Sequence, residues 1–271
     1  MKKNALSLLM ALLLVCSVSV PALATGDGTA DRDQTQDRAQ DQTCLQSEDC
    51  TEEEEQARLR LRDRLSVSDD AKTQAQARLQ EKDETGSCFT DTEGHWAGEE
   101  LRAAYGWGLV NGRPDGSFHP DEDVSGTQCV LMMARMMNCI AGDDTETETG
   151  TEAEAEAVDW DAVPVWAREQ MGEAAALHIA AQSQNYGEQP LSRLQFAVML
   201  ARTLGLDPTD ISADTLVFLD QDEIPESDLG YVQALKTLGI IEGIDGCFCG
   251  ELTVTRAQAA VMLGRVLETL E

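Results

Sequence analysis

A five-residue box recurs three times along the chain, and it constrains the fold more tightly than any other feature. Val124-Ser125-Gly126-Thr127-Gln128, Leu191-Ser192-Arg193-Leu194-Gln195 and Val254-Thr255-Arg256-Ala257-Gln258 follow one another at offsets of 67 and 63 residues. In each, Ser or Thr stands three residues before Gln, the signature of a capping box. The hydroxyl and the Gln side chain satisfy exposed N–H groups at a helix start, and the apolar residue before the cap staples onto the helix. The boxes open "CVLMMARMM", "FAVMLARTL" and "AAVMLGRVL", all with helical apolar spacing. Three matched helix starts are an internal repeat. A unit this small cannot bury its apolar helix face alone, so the three must share one core.

The front of each unit corresponds as well. "FTDTEGHWAGEELRAAYGWGLVNG" and "FLDQDEIPESDLGYVQALKTLGIIEG" each predict an amphipathic helix ending in a Gly-containing exit, and "VDWDAVPVWAREQMGEAAALHIA" places Trp166 where the first unit has Trp96. Between the helices, Pro114-Asp115-Gly116 signals a turn and Phe118 points back toward the core; Asp245-Gly246 and Phe248 repeat this, whereas the middle unit shortens to "QSQNYGEQP". The expected fold is mainly α, three helix–loop–helix units over residues 87–141, 158–207 and 217–271. The acidic run at 142–157 reads as a solvated linker, and its spacing matches no EF-hand loop.

The flanks differ in composition. "MKKNALSLLMALLLVCSVSVPALA" has a basic start, a short apolar run and an A-x-A end, so 1–24 reads as a secretory signal peptide cleaved before Thr25. Nothing later is apolar enough to span a bilayer. Residues 25–51 are polar and expected to be disordered. Residues 52–86 predict two short helices or one broken one, a charged helical spacer with thin apolar stripes.

Cleavage removes two lysines and no acids, leaving 18 basic against 50 acidic residues, a charge of −32. Such a chain excludes nucleic-acid binding through a general electrostatic field. It retains seven cysteines after Cys16 is lost, an odd number, so at least one thiol is unpaired or intermolecular. Cys44 and Cys50 are near enough in sequence to close a small loop. Cys247-Phe248-Cys249 resembles half a metal site, but three histidines and no second such pair argue against zinc. No motif calls for a cofactor. No catalytic triad, HExxH or phosphate loop is present, and residues 25–87 are too few and too polar for an enzyme core, so the chain is not expected to be an enzyme.

The pattern Phe-x-Asp…His-Trp-Ala…Gly-Leu-Val-x-Gly…Asp-Gly-x-Phe-x-Pro, closing in a Thr-Arg-Ala-Gln box, resembles the S-layer homology (SLH) family in three tandem copies. The resemblance implies one pseudo-threefold helical domain. It also implies an exported, wall-associated protein that docks non-covalently onto a pyruvylated secondary cell-wall polysaccharide, with the glycan in grooves between repeats. On that reading Arg193 and Arg256 grip acidic groups, beside Ser192, Thr255, Trp96 and Trp166. An arginine in a helix's first turn is disfavoured by the dipole, by about 1 kcal/mol at most. It nevertheless joins free N–H groups that already favour an anion, and adds a planar fork suited to carboxylate. The other reading has the arginines pairing with nearby acids such as Glu251 and the tryptophans packing in the core. Gly126 stands where the first box should carry arginine, so its groove is expected to be weak or empty. The alternative function is a diverged module that has lost glycan binding and serves protein–protein contact or self-association at the surface.

Overall fold

The computed structural model describes residues 52–85, 88–141, 161–176, 187–209 and 218–271; the readings on 1–24, 25–51 and 142–157 lie outside them. The described chain is mainly helical. It runs α1 (Glu52–Arg64), α2 (Asp69–Thr85), α3 (Gly98–Gly106), α4 (Gly126–Ala141), a short 3-10 turn (Val165–Ala167), α5 (Arg168–Ala176), α6 (Arg193–Thr203), α7 (Glu226–Thr237) and α8 (Arg256–Leu270).

The three boxes open α4, α6 and α8, and each cap forms as its sequence predicts. Gln128, Gln195 and Gln258 donate their N–H to Ser125, Ser192 and Thr255 at 3.2–3.3 Å, while the Gln side chains accept from the cap N–H groups at 2.9–3.2 Å. The residue before each cap builds the centre of the molecule. Val124 N–H donates to the Val254 carbonyl at 2.9 Å, Val254 N–H to Leu191 at 3.0 Å, and Leu191 N–H to Val124 at 3.2 Å, closing a ring. Two residues on, Gly126, Arg193 and Arg256 donate to Gln189, Leu252 and Glu122 at 3.1, 2.7 and 2.8 Å, running round the three boxes in the opposite sense. First-turn N–H groups have no partner inside their own helix. Here each is satisfied by the strand-like segment that leads into the next box.

Packing follows the same cycle. The helix α4 lies against α5, α6 against α7, and α8 against α3, while α4 also touches α6 and α8. The shared core holds Leu101, Met133, Met136, Leu200, Val266 and Leu267, all fully buried. Burial also pushes the Cys129 and Cys139 thiols up from their ordinary pKa. These two thiols pack as small apolar groups rather than as nucleophiles.

The sequence expectation for 52–86 requires correction in one respect. The two helices form, but they pack onto the domain rather than standing off as a spacer. Leu61, Val67 and Ala75 are buried, α1 lies against α7 and α8, and α2 lies against α3. Charged side chains direct the docking. Arg64 Nη2 donates to the carbonyls of Leu204 and Gly205 at 2.8 Å, where α6 ends, and Arg62 Nε donates to Thr269 at 2.7 Å near the end of α8. The exits of α3 and α7 carry Gly108 and Gly239 in the left-handed region, φ +73° and +76°. A Cβ at Gly108 would overlap Arg78 Nη1, and one at Gly239 would lie 2.9 Å from Arg58 Nη2. A helix C-terminus exposes carbonyls and the negative end of its dipole, and α1 and α2 lay a row of arginines across several such ends.

Candidate functional site

The loops that follow α3 and α7 are built alike. Asp91 accepts N–H bonds from Phe118 and His119 at 2.8 and 2.7 Å; Asp220 accepts from Phe248 and Cys249 at 2.7 and 2.8 Å. Each carboxylate thus pins the chain that delivers a buried phenylalanine, which rests on the phenylalanine two residues before the carboxylate: Phe118 on Phe89 at 4.9 Å, Phe248 on Phe218 at 5.5 Å between ring centres. Slight burial pushes the Asp91 carboxyl up, but the two N–H donors and its surroundings leave it below the usual value. Its pKa is therefore lower folded than unfolded. That stabilisation is present above about pH 4 and is lost as pH falls through the folded value. The melting temperature should hold between about pH 5 and 7 and decline below about pH 4. Asp91→Asn should start lower and decline less; a parallel decline in both proteins would show that Asp91 is not the titrating group.

The box arginines land on these loops, each from a neighbouring unit. Arg256 Nε donates to the Phe118 carbonyl at 2.9 Å and its guanidinium lies 4.6 Å from the Phe118 ring centre. Arg193 Nε donates to the Phe248 carbonyl at 2.9 Å, with its guanidinium 5.5 Å from that ring, and its Nη2 donates to the Glu242 carbonyl. Each arginine anchors an adjacent loop and floors a groove. The Arg193 groove is walled by Trp96, Glu242, Gln258 and Arg265, and the Arg256 groove by Trp166, Asn111, Gln128 and Arg135.

The six residues named from sequence are therefore divided by role. Arg193 with Trp96 and Arg256 with Trp166 meet in pairs across unit boundaries. Trp166 is 58% exposed, and Trp96 is half-buried against His95, with ring centres 5.4 Å apart. The hydroxyls of Ser192 and Thr255 are engaged by their caps. The sequence reading passed over Arg135 and Arg265, which add a second cation to each groove. Their signal was available: Arg135, Arg202 and Arg265 each stand seven residues after the box Gln. Among the described residues, no His/Cys/Asp/Glu cluster is arranged to hold a metal ion, and no helix is long and apolar enough to cross a membrane.

Two segments carrying these loops and boxes match a known family. Residues 89–128 and 217–260 match the S-layer homology domain. The segments end within or just past the first and third boxes; the second box lies between them. Over 179 residues, 65% of its length, the chain is 24% identical to S-layer protein EA1 of Bacillus anthracis, and it spans 19% of that protein. The SLH segments thus contain Asp91, Phe118 and Gln128 on one side and Asp220, Phe248 and Arg256 on the other. Arg193, Trp166, Arg135 and Arg265 reach the grooves from outside them.

Proposed function

We propose that this is an exported protein whose residues 87–271 form a three-unit SLH-type domain that docks non-covalently onto an acidic, pyruvylated secondary polysaccharide of the bacterial cell wall. The observation that carries this reading is the pair of similarly built grooves. Each brings a tryptophan face, a box arginine and a second arginine together at the edge of an SLH segment. A sugar ring stacks on an aromatic face, and a guanidinium offers a bidentate match to carboxylate. Local cations are needed for this, because the chain as a whole carries a formal charge of −30 and repels an anionic polymer. The SLH match and the S-layer relative support a surface location.

The binding test uses tryptophan emission. Adding the polymer released from purified walls should change the fluorescence, since Trp166 is largely exposed in the Arg256 groove. A titration without spectral change, with free polymer in excess, would leave the surface-interaction alternative as the better account. The export claim is tested separately. N-terminal sequencing of the secreted chain should begin at Thr25, and a mature chain that retains Cys16 would contradict it.

A further inference from the structure

We propose that the two grooves are unequal: the Arg256 groove is the principal site for an anionic sugar, the Arg193 groove is a weaker second site, and the third position binds none. The ranking rests on the wall-polymer reading above.

Four observations point the same way. Arg193 is only 6% exposed, and both its Nε and Nη2 already donate to backbone carbonyls. Arg256 is half-buried and donates through Nε alone, so among the described residues both of its Nη groups remain for a ligand. Glu242, on the wall of the Arg193 groove, places a carboxylate where the Arg256 groove has the neutral Asn111. Although Lys236 pairs with that carboxylate at 3.0 Å, an incoming anion still meets a like charge. The Arg256 groove is also the roomier, about 520 Å³ of open space against about 400 Å³. Its guanidinium remains charged, as arginine does in proteins, and Arg135 beside it adds to the attraction.

The third position lacks both the box arginine and the tryptophan. Gly126 replaces the arginine. Seven residues after Phe218 stands Pro225, where seven after Phe89 stands Trp96. The remaining cation, Arg202, lies over the Tyr231 ring at 5.4 Å. Gly126→Arg alone would therefore restore one component among several.

The experiment is isothermal titration of the full mature chain with a methyl hexoside carrying a pyruvate ketal. The parent should bind two equivalents with one site clearly tighter. Arg256→Ala should lose the tight site, a loss of roughly 10–100-fold, and Asn111→Glu, on an exposed position that tests charge without disturbing the fold, should weaken the same site. Glu242→Gln should strengthen the weaker site, and Gly126→Arg should not add a third. Three equal sites in the parent, or a tight site that survives both Arg256→Ala and Asn111→Glu, would overturn the ranking. If the parent sediments with walls while these variants bind the probe as the parent does, the ranking falls and the wall-polymer reading stands. If the parent binds neither probe nor walls, both fall.

Discussion

Phe118→Ala should lower stability by about 3–5 kcal/mol, the range for removing a buried aromatic ring and leaving a cavity. For a folded part of this size, at about 2–4 °C per kcal/mol, the melting temperature should fall by roughly 6–20 °C. The ring is 1% exposed and sits at a junction: Phe89 lies beneath it, the Asp91 carboxylate holds its N–H, and the Arg256 guanidinium covers its face. Its loss should therefore also weaken ligand binding, because Arg256 would lose the surface that orients it. Phe248→Ala should be comparably destabilising, since Phe248 is equally buried beneath Arg193. Differential scanning calorimetry of both variants checks this. A shift of only a degree or two would mean that the loops are not part of the cooperative core.

Leu61→Ala should have the next largest effect, about 2–5 kcal/mol or roughly 4–20 °C. Leu61 is 2% exposed, although its helix has almost no apolar face in its sequence. If α1 stood in solvent, the same substitution would change nothing, because a solvated alanine is as good a helix former as leucine. Arg64→Ala provides an independent check on the same docking. It removes donors from the carbonyls of Leu204 and Gly205, just past the end of α6, and should lower the melting temperature without altering the wild-type core. Stability unchanged in both variants would return α1 and α2 to the role of a spacer.

The contrast between these two regions shows what the sequence could convey. The boxes were legible because a capping box is a local device: hydroxyl, Gln and both N–H groups lie within four residues of one another, and recurrence three times excludes chance. The Asp-Gly-x-Phe loops were legible for the same reason. The docking of α1 and α2 was not. Arg64 finds its carbonyls 140 and 141 residues away and Arg62 finds its own 207 residues away, and no periodicity in a charged helix encodes such targets. The grooves fall between these cases. The sequence identified Arg193, Arg256, Trp96 and Trp166 singly, but the pairing of each arginine with a tryptophan from a different unit arises from the cyclic packing of α4, α6 and α8. The carbonyls of Phe118 and Phe248 accept from the two box arginines, contacts that no local sequence pattern announces. This also accounts for Gly126, since the middle unit, whose loop the first box would face in that cycle, has no Asp-Gly-x-Phe to be anchored.

Sedimentation with purified bacterial walls, before and after their secondary polysaccharide is stripped, tests the central claim most directly. The mature chain should pellet with intact walls and remain in the supernatant with stripped walls. Equal pelleting with both preparations, or none with either, would contradict docking onto that polymer.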